Sequence, residues 1–306
     1  MAGSTLTDMV MPQEEWALKQ TAHRDRLARW TIPHLERRSR GTKHPVEDFL
    51  FEYYPFSAAK LLTWHPGLGV SLAGDTDGFA APIYVTSPTG DTVSVDPSQQ
   101  TKHRARLDFA IRILTGTQSR PAQLGCFGLH EWAMVYRLDP DHVRHDHLDL
   151  RVSPDEIART VDKVGLRCTH IDAFRFFTDD AAPLNPITPT RESQPDLEQP
   201  GCLHATMDLY KYAMWFSPYV SGELVADTFE LAMATRQVDM AASPYDCSDL
   251  GVTPIRIETP EGRREYVDQQ QEMMRQANRL RARLLNVLVR LRAAVDVSER
   301  YATPSN

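Results

Sequence analysis

The chain has 306 residues, of which 42% are hydrophobic and 25% charged, and its formal net charge is −7. This is ordinary globular composition, so we expect disorder only at residues 1–12 and 297–306. The acidic balance disfavours a nucleic-acid partner, because proteins that grip DNA usually carry a basic face. No run approaches the roughly 20 apolar residues that cross a bilayer, and the first residues lack a signal-peptide pattern. We therefore predict a soluble, cytoplasmic, single-domain protein with no membrane partner.

The first predicted elements are helical. The charge-rich stretch from Glu14 to Arg40 has apolar residues at loosely helical spacing, which predicts one or two amphipathic helices interrupted before Pro33. A second helix is predicted to begin at Pro45, because proline suits a first helical turn and acidic residues follow it. This helix should end by Pro55.

The stretch near residues 65–97 differs from its surroundings. Glycines and prolines break any long helix there, and β-rich runs at Ile83–Thr86 and Thr92–Val95 predict a small hairpin. Helix resumes from about Thr101 to Thr115, and one long helix with an apolar stripe begins at Pro260. The predicted fold is therefore mainly α with a small irregular or β excursion. We interpret the last helix as a core helix, with a homodimer contact as the alternative.

Three segments place a histidine close to a carboxylate among apolar residues: His130 with Glu131, His170 with Asp172, and His204 with Asp208. In a helix, residues four apart share a face, and a buried carboxylate is costly without a partner or a metal. Imidazole with carboxylate suits iron, manganese or zinc. We predict a metal site built around Glu131, His204 and Asp208, with His130, His170 and Asp172 as further ligands and Glu47 as an additional candidate.

Two other interpretations of these segments stay open. Each pair can be an ordinary hydrogen-bonded core pair without metal. Alternatively, Cys126, Cys168 and Cys202 each precede one of the histidines by two to four residues, which would allow a zinc site, although structural zinc sites usually show tighter spacing. The chain has no nucleophile elbow, no Walker loop and no dinucleotide-binding motif.

Longer runs of the sequence resemble a bacterial family commonly labelled "3-methyladenine DNA glycosylase". The matching pieces are Lys43–Tyr54, Phe127–Arg137, Thr169–Phe177, Glu198–Ala213, Ala242–Gly251 and Pro254–Val267. The chain is also similar to the haem-oxygenase-like dimetal oxidases, among which are the azetidine-forming (polyoximic acid) enzymes of polyoxin biosynthesis. His204 and Asp208 match the closing His-x-x-x-Asp/Glu pattern of that superfamily, whereas Lys211 stands where many members have another histidine.

The resemblance implies a haem-oxygenase-like helical bundle that holds Fe(II), two ions of it, with glutamate, aspartate and histidine. It further implies dioxygen as co-substrate and an oxidase acting on an aliphatic amino acid such as L-isoleucine. The implied reaction is C–H desaturation with C–N cyclisation to an azetidine, in antibiotic biosynthesis. Arg175, Lys211 and Tyr210 are predicted to bind the substrate, and the loop over residues 181–201 to close the site.

Two alternatives belong to other functional classes. The first is a DNA-base N-glycosylase, as the family label states, for which only Pro66–Val70 resembles the hairpin that such enzymes need. The second is a zinc-stabilised binding protein without catalytic activity.

Overall fold

Helices make up most of the protein. The computed structural model describes residues 9–138 and 148–302. In chain order the helices are α1 (Gln13–Ser39), α2 (Phe49–Tyr53), α3 (Ala58–Leu62), α4 (Arg104–Ser119), α5 (Leu129–Ala133), α6 (Pro154–Val164), α7 (Ile171–Phe174), α8 (Gln194–Leu197), α9 (Leu203–Trp215), α10 (Gly222–Ala241) and α11 (Pro260–Ala302). The predicted mainly-α fold with a small β excursion is confirmed.

Helix α1 continues through Pro33, where the sequence predicted an interruption. Proline removes one backbone donor, but burial of one helix face compensates for such a local loss. Trp16, His23 and Leu27 are buried along that face. The prediction of a break was wrong because the stabilisation from packing this face exceeds the free-energy cost of one proline in the helix.

Helix α2 begins at Phe49, four residues later than the predicted start at Pro45. The intervening residues form turns, and the Asp48 carboxylate holds them by accepting the backbone N–H of His44 at 2.8 Å. A side chain that satisfies the backbone locally competes with the helix. The helix ends at Tyr53, before Pro55, as predicted.

The β excursion is a four-stranded sheet, and three of its strands lie between residues 70 and 95. They are β2 (Val70–Ala73), β3 (Tyr84–Thr86) and β4 (Thr92–Val95). The fourth strand is β1 (Met9–Met11), and the strands have the order β1-β2-β4-β3 in the sheet. Strand β1 (Met9–Met11) pairs parallel to β2, so part of the predicted flexible N-terminal segment is a strand. In β4 the buried residues alternate, as expected for a strand with one face on the core.

The long helices agree with the sequence. Helix α4 begins at Arg104, about three residues after the predicted start at Thr101, and ends at Ser119; the residues before it form a 3₁₀ helix, Pro97–His103. Helix α11 starts at Pro260 and has 43 residues, and Leu284, Leu288 and Leu291 of its apolar stripe are buried. It extends to Ala302, which includes most of the predicted flexible C-terminal segment. The rest of the two predicted flexible segments, residues 1–8 and 303–306, lies outside the described residues.

Contacts within the chain define two compact units. The first unit takes in Met1–Ile111, Tyr210–Glu230 and Leu280–Asn306, and the second takes in Arg112–Leu209 and Leu231–Arg279. The single-domain organisation stays a prediction. Among the described helices, none combines the length and the apolar character that crossing a membrane requires.

Candidate metal centre

Helix α5 carries the first pair of candidate ligands, His130 and Glu131. The chain enters α5 through two residues in the left-handed region, Phe127 with φ 47° and Gly128 with φ 68°. A non-glycine residue in this region is strained, so the surrounding structure must impose it. A Cβ on Gly128 would approach Ala242 and Tyr266 to 3.3 Å. The tight, strained entry fixes where α5 begins and therefore where its His130 and Glu131 lie.

The first group of candidate ligands consists of His130, Glu131 and Asp239. All three residues are buried, and their potential ligand atoms lie within 4.8 Å of one another. The buried guanidinium of Arg236 donates from Nη1 to Glu131 Oε1 at 2.8 Å and to Asp239 Oδ2 at 2.6 Å. Each carboxylate therefore uses one oxygen for Arg236 and keeps the other for a different partner.

Three buried atoms of this group have no hydrogen-bond partner in the described part of the chain. They are His130 Nε2, Glu131 Oε2 and Asp239 Oδ1, one from each residue. His130 Nε2 lies 2.9 Å from Asp239 Oδ1, so the two atoms interact electrostatically although neither counts as satisfied by a hydrogen bond. An unsatisfied buried polar atom costs about 1–3 kcal/mol. A cation bound to all three atoms would remove this cost, so the donor set fits a metal ion.

The second group consists of His170, Asp172 and Asp208, which are also buried with potential ligand atoms within 4.8 Å. His170 Nε2 lies 3.6 Å from Asp208 Oδ2 and 2.9 Å from Glu198 Oε1. This nitrogen is likewise buried and makes no hydrogen bond by its geometry. His170 Nδ1 accepts the backbone N–H of Asp172 at 3.2 Å, so the neutral ring carries its proton on Nε2. A metal on Nε2 would have to displace that proton.

His204 lies between the two groups. Its ring centroid is 4.6 Å from that of His130 and 5.3 Å from that of His170. Helix α9 carries both His204 and Asp208, and both are buried. The helical spacing therefore brings the two residues to one side of α9, where Asp208 joins His170 and His204 contacts the histidine of each group. Two neighbouring groups of N and O ligands are compatible with a site for two metal ions.

The charges of the cluster act on its histidines in opposite directions. Burial lowers the pKa of His130 and of His170, but the neighbouring carboxylates outweigh it. Asp239 raises the pKa of His130, and Glu198 with Asp208 raises that of His170 to about 9. Burial and the two neighbouring imidazoles hold the pKa of His204 well below its usual range. His204 is therefore neutral and can offer a lone pair to a cation.

A small cavity borders the three histidines. Its volume is about 20 Å³, which is room for about one water molecule. Apolar side chains such as Leu129, Leu166 and Phe177 form much of its wall, and Arg167 is the one arginine that lines it. In its present shape the cavity admits a water or a diatomic molecule beside the imidazoles.

The cysteines do not contribute to either group. Cys126, Cys168 and Cys202 line the cavity, yet none belongs to a metal-binding group among the described residues. Burial raises the pKa of Cys168 to about 12 and that of Cys126 above its ordinary value. Both thiols are therefore protonated in the metal-free protein. The zinc site built from cysteine and histidine has no support in this geometry.

Four residues predicted for the site or its substrate belong to neither group of candidate ligands. Glu47 belongs to the first unit, where it accepts from Arg37 at 2.8 Å, and it is in neither metal-binding group. Tyr210 also belongs to that unit and packs against the ring of Tyr54, and Lys211 lies over Tyr212. Arg175 is half-exposed and lies 3.5 Å from Asp172. Arg175, Lys211 and Tyr210 do not line the cavity.

Three residues that complete the cluster were missed by the sequence reasoning: Asp239, Arg236 and Glu198. None has a histidine beside it in the sequence, which was the signal used. A weaker signal existed for two of them, because Arg236 and Asp239 are the charged residues of the second half of α10 and lie one turn apart. Glu198 ends a polar, proline-rich stretch and offered no comparable signal.

The loop over residues 181–201 is ordered and tied to the second group. Arg191 donates from Nη1 to Asp172 Oδ2 at 2.9 Å, and Asn185 bonds both backbone groups of Cys168. Glu198, at the end of the loop, accepts from Gln194 at 2.5 Å. These contacts hold the loop in an ordered conformation. Arg191 occupies both carboxylate oxygens of Asp172, so a metal ion at Asp172 would have to compete with this pair.

Comparison with protein-family models, with curated proteins and with solved structures found no match in any of the three. The structure itself bears on the glycosylase alternative. Pro66–Val70 follows the short helix α3 but leads into strand β2. This segment is therefore not the hairpin of a helix-hairpin-helix motif.

Proposed function

We propose that this protein is an iron-dependent oxidase that uses dioxygen to act on an aliphatic amino acid. The observation that carries the proposal is the first group, in which His130, Glu131 and Asp239 each leave one buried atom without a hydrogen-bond partner among the described residues. Imidazole and carboxylate ligands with open positions suit ferrous iron. The resemblance to the dimetal oxidases supports the same assignment from the sequence.

The residues of the first group would hold one cation. His130 Nε2, Glu131 Oε2 and Asp239 Oδ1 are the atoms available for it. Arg236 fixes the orientation of both carboxylates by binding their other oxygens. Such outer partners of metal ligands orient them and tune their basicity. The group therefore meets the need for preorganised ligands and supporting hydrogen bonds.

The second cation would bind at His170, Asp208 and Glu198, with Asp172 as a further candidate. This group holds a proton on His170 Nε2 that must leave first, because Nδ1 accepts a backbone N–H. His204, neutral and in contact with both other imidazoles, can complete either ligand set.

Ferrous iron would supply the activation of dioxygen and the removal of hydrogen from an unactivated carbon. The chain contributes the surroundings of that chemistry. The apolar wall of the cavity excludes bulk water from the histidines, which protects a reactive intermediate from side reactions. The cavity of about 20 Å³ is large enough for dioxygen but not for an amino acid, so its wall must open to admit the substrate. Arg167 is the cation at the cavity that can receive a carboxylate.

Metal analysis tests the proposal most directly. Protein purified without oxygen and loaded with Fe(II) should retain the metal after desalting. Asp239→Asn and Glu131→Gln should each lower the retained iron at least about tenfold, because loss of a ligand or its close partner has effects of this order. Asp196→Asn is the matched control, since Asp196 lies in the same unit but is exposed and pairs with Arg112. If the unchanged protein and the three variants all retained the same amount of iron, the assignment of the first group would be contradicted.

Oxygen consumption by the iron-loaded protein tests the reaction. We expect consumption that depends on an aliphatic amino acid such as L-isoleucine, and product analysis by mass spectrometry should show loss of hydrogen. Tight zinc with no oxygen consumption would favour the non-catalytic binding protein. Release of alkylated bases from DNA by metal-free protein would favour the glycosylase.

A further inference from the structure

A second cleft, in the first unit, lies apart in sequence from the residues of the metal centre. It has a volume of about 380 Å³ and is lined by His34, Arg38, Gly41, Thr42, Lys43, Asp48, Phe51 and Glu52. This volume falls within the range of about 300–1,000 Å³ that small-molecule sites occupy. Four of its lining residues, Lys43, Asp48, Phe51 and Glu52, belong to the first matching segment of the sequence, Lys43–Tyr54, which contributes no residue to the two groups of candidate ligands.

The floor of the cleft is a buried histidine–aspartate pair. His34 is 9% exposed and donates from Nδ1 to Asp48 Oδ1 at 2.9 Å. Asp48 also accepts two bonds from Arg37, at 2.9 and 2.7 Å, so its charge is matched and its pKa lies below its usual range despite burial. Asp48 therefore serves to fix the ring of His34.

The second ring nitrogen of His34, Nε2, has no hydrogen-bond partner in the part of the chain that the structure describes, and it is not sealed from solvent. The ring stacks on Phe51 with centroids 4.1 Å apart, which holds its plane. A nine-tenths buried imidazole with one nitrogen bonded and the other open to a cleft is prepared to bind a ligand. Nothing in the metal centre accounts for this arrangement.

Two cations stand at the rim of the cleft. Arg38, one turn after His34 on α1, is exposed and forms no ion pair with a described carboxylate. Lys43 lies 2.9 Å from Glu52, but both side chains are largely exposed, with 73% and 47% of their surface accessible. Exposed pairs of this kind are weak, so Lys43 is available to a stronger anion. Among the described residues that line the cleft, Arg38 is thus the cation whose charge no ion pair compensates.

We propose that this cleft binds the phosphate group of a small phosphorylated metabolite. Arg38 and Lys43 offer donors, and His34 Nε2, the unprotonated nitrogen of a ring that donates from Nδ1, can accept from the P–OH of a singly protonated phosphate monoester. A carboxylate needs only one bidentate arginine. The remaining volume of the cleft leaves room for the organic part of the ligand. This site is independent of the proposed oxidase reaction.

Calorimetric titration of the full-length protein with glycerol 3-phosphate tests the proposal, with a chelator present so that the probe cannot bind at a metal. We expect saturable binding with one site. Arg38→Gln should weaken it at least about tenfold, the effect of losing one charge-assisted contact. His34→Gln should also weaken it, and circular dichroism will show whether that variant folds. If it does not fold, the binding measurement on Arg38→Gln is the test of the proposal.

Arg40→Gln is the matched control, because Arg40 lies at the same end of α1 with 71% of its side chain exposed. It should bind as the unchanged protein does. The proposal is overturned if the unchanged protein does not bind the probe, or if Arg40→Gln weakens binding as much as Arg38→Gln. It is also overturned if acetate or glycerate competes with equal affinity, since the cleft would then be a carboxylate site.

Discussion

At the scale of single residues, Arg236 has the clearest energetic role. It is 2% exposed, and its guanidinium stands between the carboxylates of Glu131 and Asp239. Two carboxylates can share a buried site only if a cation compensates them. Burial lowers the pKa of Arg236, but the attraction of Glu131 and Asp239 outweighs it, so the side chain stays charged. In the metal-free protein Arg236 therefore provides the charge that keeps the ligands together.

Replacing this arginine tests that role. Arg236→Gln should lower the free energy of unfolding of the metal-free protein by about 3–5 kcal/mol, because it leaves buried charge uncompensated. Adding a divalent metal should restore more of this loss in the variant than it adds to the unchanged protein. Urea unfolding followed by circular dichroism measures both effects. Arg283→Gln, which removes an exposed pair with Asp227, should cost at most about 1 kcal/mol. Similar losses in the two variants would contradict the assigned role.

His65 gives a pH dependence that is separate from the metal centre. Burial, with the nearby positive charges of His23 and Lys60, lowers its pKa to about 4, and its Nδ1 accepts from the Tyr84 hydroxyl at 2.7 Å. Between about pH 6.5 and 4 the unfolded chain binds this proton and the folded chain does not. The stability that neutral His65 contributes is complete above pH 6.5 and decreases as the pH falls.

The unfolding free energy of the unchanged protein, relative to that of His65→Gln, should therefore fall by up to about 1.4 kcal/mol per pH unit between pH 6 and 5. Denaturant unfolding of both proteins at each pH measures this difference, in which the other titrating groups cancel. A difference that does not change with pH would show that His65 is not held neutral.

At the scale of elements, the start of α9 decides the position of His204. Gly201 lies just before this helix, and its N–H donates to Gln199 Oε1 at 2.7 Å while its C=O accepts from Gln270 at 2.6 Å. A Cβ on Gly201 would lie 2.7 Å from the carbonyl oxygen of Gln123, closer than real Cβ contacts allow. The backbone before α9 is thus clamped on both sides, which fixes the register of the helix.

Gly201→Ala should disturb this clamp. We expect it to lower the unfolding free energy by about 1–3 kcal/mol, as overpacking usually does, and to lower the retained iron because His204 and Asp208 follow on the same helix. Gly78→Ala is the control, since a Cβ there meets nothing within 4 Å. Thermal unfolding and metal analysis give the two readouts. If the Gly201→Ala protein were destabilised but retained as much iron as the unchanged protein, metal binding would not depend on the position of α9.

At the scale of the whole molecule, the candidate metal-binding groups of the described residues belong to one unit. His130, Glu131, Asp239, His170 and Asp208 all lie in the second unit, and no such group was found among the described residues of the first. Ligands stabilise the regions that hold them by mass action. Metal should therefore act on the local dynamics of the second unit.

Hydrogen exchange measures this effect directly. Loading with metal should slow amide exchange in α5, α7 and the first turns of α9, where the candidate ligands lie. Exchange in strands β2 and β4 of the first unit should change much less. Equal slowing in both regions would indicate that the metal stabilises the chain as a whole, or binds elsewhere.

Periodicity and residue chemistry in the sequence determined the long helices, the β-rich excursion and the presence of three buried histidine–carboxylate segments. These features depend on neighbours within a few positions, which hydrophobic patterns and helical spacing report. The pairing of His204 with Asp208 on one face of α9 belongs to this class. The continuation of α1 through Pro33 does not, because packing of its buried face overrides the local preference.

The tertiary structure alone decided how the candidate ligands combine. Asp208 joins His170 instead of sharing a group with Glu131, while Asp239 and Glu198 complete the two groups from distant parts of the chain. Glu47, equally acidic, pairs with Arg37 in the other unit. Sequence spacing cannot report such combinations, because they depend on which helices pack together and on which buried charges then require a partner.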